Sequence, residues 1–230
     1  MKTIGLVGGM SWESTAEYYR IINEAVKARL GGFHSARCVL FSLDFADIEC
    51  FQHQGKWETA SLLLQKAARR VEKAGADILL ICANTMHKVA AEVQKAVRIP
   101  LLNIIDVTAD EIKRKKVKTI GLLGTRFTME QDFYKMRLAA KHGLQVLIPE
   151  ETERAAIHEI LYNELCLGKL RKLSRQKFRR IISRLVNRGA EGIILGCTEI
   201  PLLIDKDDYD IPLFDTTEIH ALAAVDFALK

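Results

Sequence analysis

Short apolar runs that end in glycine alternate along this chain with longer stretches of helical spacing. Residues 3–7 form one such run, closed by Gly8-Gly9, and read as a buried strand followed by a tight turn. From Ser14-Thr15 the pattern suits a helix to Arg29, stopped by Gly31-Gly32. A strand over 37–43 follows, then a helix over 56–74 with Leu62, Leu63, Ala67 and Val71 in phase, then a strand over 78–81. A helix over 87–96 and a fourth strand over 101–105, introduced by Pro100, complete the first half. The second half predicts strands over 119–123, 145–148, 193–195 and 213–214. Its helices are expected over 129–142, 153–167, 174–188 and from Glu218 onward. Strands alternating with helices of this length imply right-handed βαβ units and parallel sheets.

The halves repeat in sequence as well as in pattern. Lys2-Thr3-Ile4-Gly5-Leu6-Val7-Gly8 returns 116 residues later as Lys118-Thr119-Ile120-Gly121-Leu122-Leu123-Gly124. The segment from Gly75 to Thr85 returns 114 residues later as Gly189 to Glu199, which sets Cys197 opposite Ala83. The expected fold is therefore α/β, with two pseudo-symmetric Rossmann-like or flavodoxin-like domains. Each should hold a mainly four-stranded parallel sheet, with the active site in the cleft between them. The domains are expected at 1–108 with 215–230, and at 109–214, with boundaries near 106–112 and near Asp215. Ligands of such sheets collect beyond the carboxyl ends of the strands. Four segments fall there: Gly8-Gly9-Met10-Ser11, Cys82-Ala83-Asn84-Thr85, Gly124-Thr125 and Gly196-Cys197-Thr198-Glu199.

Composition narrows the classes without choosing a chemistry. The 230 residues are 49% hydrophobic and 27% charged, as in a soluble globular protein, and long enough for two domains. No apolar run has the length of a membrane span, and the residues after Met1 form a strand pattern without a signal-peptide core. The 5 cysteines are scattered without a CxxC pair or zinc-like His spacing, which points to reduced thiols in the cytoplasm and to no metal. A net charge of +5 is carried partly by 113–116 and 169–180. No nucleic-acid motif or aromatic platform accompanies these cations, so they read as solvated helix faces that can also attract a small anionic substrate.

The candidate chemistry gathers at the strand ends. A thiol beside Thr198 and Glu199, before a turn, can serve as an acid or base, so Cys197 is the leading catalytic candidate. Cys38, Cys50 and Cys166 read as small hydrophobes instead. Alternation along a strand sends Cys82 and Ala83 to opposite faces, and the pattern leaves open which of them meets the cleft. Asn84, Thr85, Thr125 and Thr198 supply neutral donors suited to a carboxylate, although each alone is equally a turn or cap residue. His87 can be a proton shuttle or a first-turn histidine bonded to backbone. Glu164 reads as a solvent-facing helix residue, and Arg37, Gln52 and Lys169 are unranked candidates for a side-chain carboxylate. The dinucleotide pattern GxGxxG is absent after Gly8-Gly9, which argues against a nucleotide cofactor.

Taken in order, Gly8 to Thr15, Asn84-Thr85-Met86-His87, Leu123 to Met129 and Gly196-Cys197-Thr198-Glu199 resemble the aspartate/glutamate racemases, closest to the bacterial L-aspartate/glutamate-specific branch. The resemblance runs essentially end to end. It implies cofactor-independent racemisation by two acid/base residues, usually cysteines, on opposite faces of the substrate Cα, in a homodimer with no nucleic-acid or membrane partner. It also implies that Asn84, Thr85, Thr125 and Thr198 hold the substrate carboxylates; Met10, Gln52 and Glu199 complete the expected binding set. The usual first motif is Cys-Asn-Thr, with Thr at the thiol position in some of the branch; here that position is Ala83. Three readings follow. One is an amino-acid racemase with Cys197 as principal acid/base and a second group improvised from Cys82, His87 or water. Another is a one-thiol, decarboxylase-like enzyme of carboxylates. The last is a carboxylate-binding homologue without turnover.

Overall fold

Alternation of side chains sorts the first sheet's residues between two buried layers. A computed structural model describes residues 1–205 and 208–230. The chain divides into two compact units, Met1–Ile104 with Thr217–Lys230, and Ile105–Thr216.

Unit 1 is built on a parallel sheet in the order β2-β1-β3, from β1 (Ile4–Gly8), β2 (Cys38–Ser42) and β3 (Ile78–Ile81). On one face Val7, Leu79, Ile81 and Ala83 join a cluster with Ile48, Leu64 and Val71. On the other, Ile4, Leu6, Ile78, Leu80 and Cys82 join Tyr18, Ile22 and Val225. The period of two in the strands is thus satisfied on both faces, as a doubly covered parallel sheet requires. Helix α1 (Trp12–Leu30) starts at Ser11, whose Oγ accepts from Ser14 N–H at 3.3 Å, and stops at Gly31 with φ 73°. Helix α2 (Phe45–His53) is capped by Asp44, and α3 (Trp57–Lys73) buries the stripe Ala60, Leu64, Ala67, Ala68 and Val71. A short 3-10 turn, Thr85–Val89, leads into α4 (Ala90–Ala96). Helix α11 (Thr216–Ala228) brings Ala221, Ala224 and Val225 to the α1 side of this sheet.

Unit 2 repeats the winding. Its sheet has the order β5-β4-β6-β7, from β4 (Thr119–Gly124), β5 (Gln145–Leu147), β6 (Gly192–Gly196) and β7 (Leu213–Asp215), all parallel. Helix α5 (Ile104–Arg114) precedes it, and α6 (Arg126–Glu130) and α7 (Asp132–Met136) follow β4. After β5 come α8 (Glu151–Asn163) and α9 (Lys172–Asn187), and after β6 the short α10 (Ile200–Leu203). Gly121 lets this layer close: a Cβ there would sit 2.5 Å from Ile193 Cδ1.

The α/β fold with two parallel sheets is as expected from the sequence, with differences that have local causes. The first sheet has three strands, not four, among the described residues. The expected strand over 101–105 reduces to one bridge, Leu79 to Leu101, because the chain turns into α5 at Ile104. The presumed boundary segment near 106–112 is therefore helical. Helix α2 was not foreseen. The expected helix over 129–142 breaks at Gln131, which is extended with ψ 151°, and ends in a π-turn over Arg137–Lys141. Leu62, placed in the α3 stripe by the sequence, is 51% exposed, and Leu64 takes the inner position. No helix among the described residues is long and apolar enough to cross a membrane.

Candidate active site

The registers of the two sheets carry the repeat to the strand ends. In unit 1 Ile4 pairs with Ile78 and Val7 with Ile81; in unit 2 Ile120 pairs with Gly192 and Leu123 with Leu195. Counting on from these pairs, Cys82 corresponds to Gly196 and Ala83 to Cys197. The sequence alignment of the halves is thus also their alignment as folded sheets.

In unit 1 the loop after β1 is tightly fixed. Gly9 has φ 85°, and a Cβ there would meet the Leu43 backbone, so only glycine suits the position. Gly9 N–H donates to Thr15 Oγ1 at 2.8 Å and Leu43 N–H to Gly8 O at 2.9 Å, which holds Met10 in a buried place. At the end of β3 the Ala83 methyl lies in the cluster that contains Met10 and Met86, and it is 7% exposed. Gln52 is buried and its Nε2 donates to Met86 Sδ at 3.1 Å. Asn84 and Thr85 are both buried at the start of the 3-10 turn. His87 Nδ1 lies 2.9 Å from Ala83 O, and its Nε2 lies 3.2 Å from Ile104 N. Cys82 faces the other way, wholly buried with Ile4 and Leu6. That burial, with Cys38 nearby as a smaller cause, pushes its thiol far above the ordinary range.

In unit 2 the strand end carries a thiol and a carboxylate in contact. Cys197 Sγ–H donates to Glu199 Oε2 at 2.9 Å, and Thr198 Oγ1–H to the same oxygen at 2.8 Å. Cys197 and Thr198 are partly exposed, whereas Glu199 is 3% exposed and caps α10. Burial first, then the charge of Glu199 and the proximity of Cys166, raise the Cys197 thiol well above its ordinary value. It therefore rests as a proton donor with an acceptor already attached. Thr125 is the N-cap of α6: its Oγ1 accepts from Thr128 N–H at 3.2 Å and is hydrogen-bonded to Thr128 Oγ1, also at 3.2 Å. Gly124 and Gly196, paired across β4 and β6, leave no room for side chains: a Cβ on Gly196 would lie 2.6 Å from Leu123 O.

Of the other candidates, Glu164 is not simply solvated; it accepts from Ser174 Oγ at 2.5 Å and lies 3.8 Å from Arg171. Arg37 and Lys169 are exposed. Sequence reasoning overlooked Thr15 and the buried pair Tyr18 and His220. Thr15 lies four residues after a capping serine, a spacing that brings it back to the loop; nothing local in the sequence marks His220.

The family model for Asp/Glu/hydantoin racemases matches residues 7–224. The chain belongs to this family. A structure of a candidate Asp/Glu racemase from Yersinia pestis is 53% identical over 100% of both chains, with a TM-score of 0.93. An aspartate racemase homologue from Pyrococcus horikoshii OT3 is 36% identical, also over 100% of both, with a TM-score of 0.86. A broad specificity amino-acid racemase from Bacillus subtilis (strain 168) is 26% identical over 161 residues, 69% of this chain and 67% of its own length. Racemase-family membership thus covers the segments of both units at which the candidate residues lie.

Proposed function

We propose that the protein is a cofactor-independent amino-acid racemase of aspartate- and glutamate-type substrates in which Cys197 is the principal acid/base. The observation that carries this reading is the Cys197 thiol at a strand end, 2.9 Å from a buried carboxylate, in a chain of the racemase family. Glu199 takes the thiol proton when Cys197 abstracts the substrate α-proton, and returns it when Cys197 protonates the carbanion. Asn84, Thr85, Thr125 and Thr198 hold the carboxylates, with Met10 and Gln52 shaping the remaining wall.

The register equivalent of Cys197 in unit 1 is Ala83, whose methyl has no proton to give. Cys82, packed among Ile4 and Leu6, is a poor replacement, and His87 has both ring nitrogens engaged with backbone. Turnover through the second face then falls to water and is slow. The same methyl favours a second reading, a one-thiol carboxylate enzyme that protonates one face only. A homodimer in the cytoplasm belongs to the proposal as well.

Proton NMR of L-aspartate and L-glutamate in D2O, followed by chiral analysis, tests this. Deuterium at Cα together with accumulating D-enantiomer is the expected result. Deuterium with retention of configuration would assign the one-thiol chemistry. No deuterium, with Ala83→Cys equally silent, would remove both acids as substrates.

A further inference from the structure

Two buried imidazoles, His87 and His220, stand together in unit 1, ring centroids 5.8 Å apart at 68°. Their partners decide which nitrogen carries the proton. A carbonyl can only accept, so His220 Nε2, 2.9 Å from Leu102 O, is the N–H; its Nδ1 accepts from Tyr18 Oη–H at 2.8 Å. A backbone N–H can only donate, so His87 Nε2 is the lone pair that accepts from Ile104 N–H. His87 Nδ1 is then the N–H that donates to Ala83 O at 2.9 Å. An imidazolium at 87 would set its Nε2–H against the Ile104 N–H. This environment selects one neutral tautomer.

The consequence falls on Asn84. The peptide joining Ala83 to Asn84 is planar, so fixing its oxygen also fixes the direction of the Asn84 N–H. The next peptide is held as well, because His87 N–H donates to Asn84 O at 3.0 Å. His87 therefore grips both peptides that flank Asn84, one with its ring and one with its backbone. His220, tied to α1 through Tyr18 and to the backbone at Leu102, walls the ring in.

We propose that His87 is a positioning residue, backed by His220, that clamps Asn84 for carboxylate binding and transfers no proton itself. This rests on the reading of Asn84 as a carboxylate ligand. The test compares the full chain with His87→Gln, which keeps one donor and one acceptor without a titrating ring, and with His87→Leu, which keeps neither. Exchange of the L-aspartate α-proton is followed against substrate concentration and pH. The clamp predicts that His87→Leu raises KM about tenfold with a smaller loss in kcat, and that His87→Gln restores KM to within about threefold with an unchanged pH profile. Loss of exchange in the glutamine variant, or loss of one limb of its pH profile, would make His87 a proton carrier and overturn the proposal. An unchanged KM in the leucine variant would overturn it too. The glutamine variant decides the matter even if the leucine variant does not fold. A wild-type protein that neither exchanges nor is stabilised by L-aspartate or L-glutamate would instead remove the carboxylate reading, and the clamp with it.

Discussion

Position 83 carries a methyl group where its register equivalent in unit 2, Cys197, carries a thiol. On the proposed function, Ala83→Cys places a proton donor there and should raise racemisation about tenfold or more, measured as D-aspartate formed per unit time. Cys197→Ser should abolish α-proton exchange; surviving exchange would take the acid/base role away from Cys197. A third prediction concerns His220, which burial and the neighbouring His87 hold down at about 3 against an ordinary 6.5. As pH falls below about 6.5 the unfolded chain takes up a proton that folded His220 refuses, so stability drops across the window down to about 3, by up to about 1.4 kcal/mol per pH unit for this one group. His220→Gln keeps both hydrogen bonds but not the titration, and should flatten that dependence in denaturant midpoints taken between neutral and mildly acidic pH. Equal slopes in the two proteins would refute it. The repeat singles out Cys197 in the sequence, and its acid/base role belongs to the proposed function. The direction of Cys82 was not legible, because alternation says only that neighbouring side chains part; packing puts Cys82 with Ile4 and Leu6, and Ala83 with Met10 and Met86.

Among the elements, the short apolar runs ending in glycine read correctly because burial on both faces leaves little choice of residue, and the glycines punctuate them. Helix α2 escaped notice although Asp44 caps it, since Phe45 to His53 is too short for a strong apolar stripe. Helix α5 was misread because Leu101 to Ile105 is apolar enough for a strand, and only tertiary context starts a helix within it. Glycine placement yields a prediction of its own. Gly196→Ala would press a Cβ against Leu123 O, a backbone atom of a paired strand that cannot swing aside. It should cost on the order of 2 kcal/mol and shift the adjacent Cys197, seen as a lower melting temperature and reduced exchange. A variant as stable and as active as the parent would count against the tight strand pairing.

For the whole molecule, the shared strand order and register show that the duplication is structural. The order β2-β1-β3 in unit 1 reappears as β5-β4-β6 in unit 2, with Leu101 bridging where β7 completes the second sheet. Sequence identity could reveal that correspondence, whereas the shortening of the last strand in unit 1 depends on how soon α5 begins. The units differ in another respect. Unit 2 is continuous in the chain, whereas unit 1 is finished only by Thr217–Lys230. A chain cut after Thr216 loses Ala221, Ala224 and Val225 from the layer over Ile4, Leu6 and Leu80. Limited proteolysis should then degrade unit 1 and spare unit 2; equal resistance of both would contradict this dependence.

That discontinuity has a consequence for synthesis on the ribosome. The strands of unit 1 emerge first, yet the sheet face that α1 and α11 share has only α1 over it while all of unit 2 is translated, an interval on the order of ten seconds at ordinary elongation rates. Unit 2 can close as soon as it leaves the exit tunnel. The half made first is therefore completed last, and during that wait the nascent chain exposes the surface most prone to capture by chaperones or by other chains.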